Sequence, residues 1–206
     1  TVEGSANSSF GAGTLAGGAD STITEWTPLR YTGESLNFNI ENTKTAEIRS
    51  DRTETDLVQT SGSGGGDLNF ELSYGSFRDW LQAVLCSTWA GGPTETLENG
   101  STRRSYTVQK HFQDMTPQQY HFYRGTCVES LNLSMEIGKI VEGSWGLMSF
   151  GIDPDTGIQE AQLAGSTFAP GTSTTPMNAV TNLQDFAIDG VPYSGCISSL
   201  KLQIKN

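Results

Sequence analysis

The chain has 206 residues and a formal net charge of −11, which suits one domain at the usual ~100–200 residues and has the wrong sign for gripping duplex DNA or an anionic membrane. Only 35% of the residues are hydrophobic and 17% charged, against about 45–50% and ~25% in ordinary globular domains. The difference is made up by 24 Gly, 24 Thr and 22 Ser, a composition that disfavours long helices and favours strands joined by many turns.

Residues 1–24 are mostly Gly, Ala, Ser and Thr, with Phe10 and Leu15 as isolated large apolar residues. They read as a flexible N-terminal arm able to order against a partner, and the β domain is expected over 25–206. Between Glu34 and Glu41, Leu36, Phe38 and Ile40 alternate with polar residues, the period of a half-buried strand. Leu68, Phe70 and Leu72 repeat the pattern, and the two strands should pair as a hairpin. The intervening segment 42–66 is 25 residues long, against about 2–5 in an ordinary hairpin loop. It is expected to form a long projecting arm, mixed in charge from Glu47 to Asp56 and ending in a glycine-rich tether from Ser61 to Gly66.

The stretch from Ser76 to Leu85 is the one credible helix. Ser76 with Asp79 makes an N-terminal capping signature, and Trp80, Leu81, Val84 and Leu85 form one apolar stripe. A helix this short must pack on a sheet to persist. Tyr106, Val108, Lys110 and Phe112 then alternate as a strand, and Thr116-Pro117 reads as a helix cap and first turn. Further strands are expected along Leu131, Leu133, Met135 and Ile137, turning at Gly138-Lys139, and along Val141, Gly143, Trp145 and Leu147. Asp153 to Gly157 is a turn and 161–182 a second long loop. A short strand is expected around Phe186 and Ile188, and Cys196, Ser198, Leu200, Leu202 and Ile204 alternate to the C-terminus. The fold class is mainly β, an antiparallel sandwich or partial barrel with one packed α-helix.

Chemistry-bearing motifs are absent. His111 and His121 lack metal-ligand neighbours. Asp153, Asp155 and Glu160 lack the ligands and the sixth-position glycine of a calcium loop. The Gly62–Gly66 tract lacks the Lys-Ser/Thr of a phosphate loop. Cys86, Cys127 and Cys196 are too few and too widely spaced for a disulfide scaffold, and read as free buried thiols. No catalytic, cofactor or metal site is expected, no run is long enough to span a bilayer, and no signal peptide is in view. The length and mixed charge of the arm point to subunit contact through Ile48, Arg49, Asp51 and Arg52. Two other readings stay open: a secreted or surface β-sandwich that binds carbohydrate, which leaves the long arm unexplained, and a hydrolase with an unmarked carboxylate pair.

Several stretches resemble the tail tube proteins of long-tailed bacteriophages. They are Trp26 to Leu36, Glu47 to Arg52, Asn69 to Gly75 with the helix after it, Gly138 to Trp145, Pro176 to Val180 and Ser198 to Asn206. The likeness runs from about residue 26 to the end and is most specific from Leu29 to Gly75. It implies a structural virion protein, assembled in the host cytoplasm, without catalysis. Hexameric rings would stack into a hollow tube, with sheets of adjacent subunits joined into one barrel and genome DNA passing through. The implied partners are further copies and other tail proteins: tape measure, terminator and baseplate, and a sheath where the tail is contractile.

A channel that passes DNA should not hold it, and an acidic wall keeps water and counterions between itself and the phosphates. From Glu129 to Asp189 there are eight acidic residues and one basic residue, Lys139. The polar sides of the alternating strands supply Glu41, Glu71, Glu136 and Glu142 as the expected lumen residues.

Overall fold

The computed structural model describes residues 2–7, 25–45, 57–92, 94–112, 114, 116, 119–149, 151–152, 158–159, 167–180, 187–188, 191–192 and 198–206. Strands β1 (Val2–Asn7), β2 (Glu25–Pro28), β3 (Gly33–Glu34), β4 (Asn37–Lys44) and β5 (Leu57–Glu71) precede the helix α1 (Arg78–Val84). β6 (Ser105–Phe112), β7 (Gln119–Glu136) and β8 (Glu142–Ser149) follow it. Five two-residue strands come next, β9 (Gly151–Ile152), β10 (Ile158–Gln159), β11 (Thr167–Phe168), β12 (Ala187–Ile188) and β13 (Val191–Pro192), and β14 (Ser199–Lys205) closes the chain.

Among the described residues, all strands but the β12–β13 pair belong to one twelve-stranded sheet, antiparallel except where β11 joins β2. β7, 18 residues long, is its spine. Its first half pairs with β6 on one side and with β9 and β10 on the other. Its second half pairs with β14 and β8. Gly125 at φ +60° and a register shift between Val128 and Ser130 bend the strand between these halves. The expected mainly-β, antiparallel class with one helix is what is found.

Five expectations need correction. Val2–Asn7, read as part of a flexible arm, pairs with β6 from Val2↔Lys110 to Asn7↔Ser105. Ladder bonds use main-chain groups, so a composition poor in apolar side chains does not forbid them; residues 8–24 lie outside the described residues. The hairpin ladder continues to Lys44↔Leu57, so much of the expected loop is strand. Its glycine tract lies within β5, where a Cβ on Gly65 would sit 2.5 Å from the Leu147 carbonyl oxygen. Glycine is there for close approach to β8, which has the same composition as a tether. Thr116 begins no helix but lies in the short link of the β6–β7 hairpin, whose last pair is Phe112↔Gln119. The loop 161–182 contains β11, and bridges Ser73↔Pro176 and Ile140↔Asn178 anchor its described part. Asp153–Gly157, Phe186 and Cys196 lie outside the described residues.

The helix start also differs. Phe77 is the N-cap, and its apolar side chain makes no cap bond; the Ser76 hydroxyl, expected as the cap, engages Ser73 Oγ at 2.5 Å and Thr172 Oγ1 at 2.6 Å. At the other end Cys86 takes the left-handed φ of +49°. Its N–H donates to Ala83 O at 3.2 Å, and the Ser87 N–H donates to Gln82 O at 3.0 Å, closing the helix in the manner usually reserved for glycine.

The core lies between α1 and the sheet. Trp80 and Val84 are buried, and Leu81 and Leu85 are half-buried against the same cluster. Trp145 sits at its centre, with ring centroids 5.2 Å from Phe70, 5.6 Å from Trp80 and 6.0 Å from Phe77. A second cluster, Trp26, Tyr120 and Phe122, packs the other lobe. A largely sheltered Glu34–Lys110 ion pair at 2.6 Å ties β3 to β6. His121, directly across from Lys110, has its pKa lowered below 6.5, first by desolvation and then by the Lys110 charge. The unfolded chain therefore binds a proton on this imidazole more readily than the folded one, and the stability it contributes is present above about pH 6.5 and lost as pH falls. Melting temperatures at pH 7.5 and 5.0 should converge in His121→Gln relative to the parent; an unchanged pH difference would contradict this.

Candidate assembly surface

Residues directly paired across strands share one face of a sheet, so the register assigns the faces of the lobe β14–β7–β8–β5–β4. One row reads Leu68, Trp145, Leu131, Ile204, and the next Phe70, Gly143, Leu133, Leu202. This face carries the main core and packs α1. The intervening rows are Asp67, Gly146, Ser130, Lys205; then Asn69, Ser144, Asn132, Gln203; then Glu71, Glu142, Ser134, Lys201. Asn37, Asn39 and Glu41 of β4 extend the same face opposite Gly65, Ser63 and Ser61, and Glu136 does so opposite Ser199.

All four glutamates singled out in the sequence thus share one polar face, opposite the helix-bearing one. Glu41 accepts a hydrogen bond from Ser61 Oγ at 2.8 Å. Glu71 stands directly across from Glu142, a like-charge pairing that opposes local stability. Glu136 meets Lys139 at 2.6 Å; the hydrogen bond and the charge lower the carboxyl pKa and raise that of the ammonium. Sequence reading missed Asp67, Lys201 and Lys205 on this face. The period-two alternation that marked Glu71 contains Asp67 two steps before Asn69, and the alternation of β14 contains both lysines. The face is acidic across β4, β5, β8 and β7, and its two strand cations both lie on β14.

Among the described residues, no strand pairs with the outer side of β4 or of β14. β8 leaves β5 at Gly64↔Ser149, so the six pairs from Asn39↔Ser63 to Lys44↔Leu57 project as a two-stranded ribbon, about 20 Å at ~3.4 Å per residue. Ile40, Leu57 and Val58 are exposed on it. A lone two-stranded ribbon is marginal in water. Ile48, Arg49, Asp51 and Arg52, in the segment of sequence between β4 and β5, lie outside the described residues. Trp80, Leu81, Val84 and Leu85 belong to the opposite, core-bearing side. No helix is long and apolar enough to cross a membrane.

Among the described residues, these features define a mainly β chain with one exposed polar face, two sheet edges that no strand joins and a projecting ribbon. The sequence matches the profile of the phage tail tube protein family over residues 5–206, nearly the whole chain, and the protein belongs to that family. It is a structural component of a phage tail. No curated protein matches it.

Proposed function

We propose that six copies close into a ring through their open sheet edges, that rings stack into a hollow tube, and that the face bearing Glu41, Asp67, Glu71, Glu136 and Glu142 lines the bore through which genome DNA enters the host. The observation that carries this reading is the pairing of an exposed acidic sheet face with two edges, β4 and β14, whose outer sides no strand joins among the described residues. Edges of this kind are a hazard on a monomer and become joints in a closed ring. The other face is committed to the core, so only the polar one is free to meet the channel. An acidic bore repels the duplex, whereas each basic contact would add salt-dependent affinity. Assembly would proceed in the host cytoplasm, alongside tape measure, terminator and baseplate proteins.

Glu→Lys at positions 41, 71, 136 and 142 together, in tubes that still assemble, should slow genome delivery, with less slowing at high salt. Unchanged delivery at low salt would remove this face from the bore. The segment of sequence between β4 and β5 is the second assembly element. A desolvated guanidinium–carboxylate pair is costly to break from one side, so Arg49→Ala and Arg52→Ala should each leave a folded monomer that no longer polymerises. Tubes of normal length from both variants would overturn that role.

A further inference from the structure

Resting on the ring reading above, we propose that the joint between neighbouring copies is a parallel pairing of β14 of one copy with β4 of the next, in the register that sets Lys205 beside Glu41. β4, β5, β8, β7 and β14 are successively antiparallel, so β4 and β14, the first and last of five, run the same way. Rotation about a ring axis preserves strand direction, so β14 of one copy meets its neighbour's β4 in parallel.

Ser35 N–H donates to Asp67 O at 2.9 Å, and Ile137 N–H donates to Ser198 O at 3.2 Å. In an L-residue strand these directions fix left and right. Seen from the helix-covered side with β4 running upward, β14 is the left edge and β4 the right. With the polar face toward the bore, this is the view from outside the tube.

The offset then follows from barrel geometry. Strands in closed barrels coil right-handed and tilt by ~35–45° from the axis. Five strands at ~4.8 Å span about 24 Å. At a tilt of about 40°, the copy on the right is therefore shifted up along the strands by roughly 20 Å, or six residues. Lys205 lies in the row of Asp67, and Glu41 lies opposite Ser61, six residues up β5. The shift carries Lys205 onto the level of Glu41, with Gln203 beside Asn39 and Lys201 beside Asn37. All six side chains are exposed and on the same face.

The same charges act against the wrong pairing. A two-fold β14–β14 contact centred on Gln203 would set Lys201 of each copy against Lys205 of the other, and like charges directly opposite are destabilising. The lysines therefore select the head-to-tail joint that can close a ring over the self-complementary one that stops at a dimer.

The test is a cross-link on assembled protein. Neighbouring strands lie ~4.8 Å apart, within the ~4.4–6.8 Å between Cα atoms that a disulfide accepts. Glu41→Cys combined with Lys205→Cys should, under an added disulfide oxidant, give a ladder of covalent multimers up to the ring number. Glu41→Cys with Lys201→Cys, four residues out of register, should not, and each single variant controls for the native cysteines. As a second arm, Lys205→Glu should raise the protein concentration needed for assembly about tenfold by turning attraction into repulsion at each joint, and adding Glu41→Lys should restore it. Tubes without the ladder, a ladder from the Lys201 pair, dimers only, or no rescue by the charge swap would overturn this joint while leaving the ring intact. A parent protein that forms neither rings nor tubes would remove the ring reading and the joint with it.

Discussion

Trp80→Ala is expected to lower the free energy of unfolding by about 3–5 kcal/mol, the usual range for truncating a large buried aromatic. The indole is 3% exposed and sits between two other rings, Tyr106 at 6.2 Å and Trp145 at 5.6 Å. It is the main anchor of a seven-residue helix that has no side-chain cap and cannot persist without its packing face. The Tyr106 hydroxyl also donates to Asp79 O at 2.7 Å, so loss of the indole loosens the helix where β6 holds it. Chemical denaturation of the monomer measures this directly. A cost near zero would mean that the helix is not packed on the sheet.

Gly143→Ala should also destabilise the fold, for the opposite reason. A Cβ at this position would lie 2.5 Å from Phe70 Cζ and 2.7 Å from the Asn132 carbonyl oxygen. The Phe70 ring has nowhere to retreat, with Phe77 at 4.4 Å and Trp145 at 5.2 Å, and the carbonyl belongs to the neighbouring strand. Overpacking of this kind costs about 1–3 kcal/mol or more. The expected outcome is a lowered denaturation midpoint with loss of soluble yield, and a midpoint within error of the parent would contradict the close β5–β8–β7 packing.

The alternation of Leu68 and Phe70, of Leu131 and Leu133, and of Val141 through Leu147 was enough to read an antiparallel, mainly β chain, because burial of one sheet face writes itself into side chains at period two. The stripe Trp80, Leu81, Val84, Leu85 was legible for the same reason at helical period. What stayed hidden depends on main-chain contacts. Val2–Asn7 joins the sheet through its backbone, and Ser61–Gly66 is glycine-rich because β8 lies against it; neither fact has a side-chain signature. Ser76 looked like a cap because local spacing shows no sign of Thr172, 96 residues away. The glutamate face was readable as a polar side, but only the register joins Glu41 to Glu71, Glu142 and Glu136 and brings Asp67, Lys201 and Lys205 beside them.

The central claim is that this protein builds a tube walled by the polar face of its own sheet. Helical reconstruction of the purified, self-assembled protein by electron cryomicroscopy tests it most directly. The account predicts stacked six-fold rings of uniform bore, strands continuous from copy to copy, Glu41, Asp67, Glu71, Glu136 and Glu142 on the inner wall, and α1 outside it. A tube whose inner wall is formed by α1, or a protein that remains monomeric at all concentrations, would contradict it.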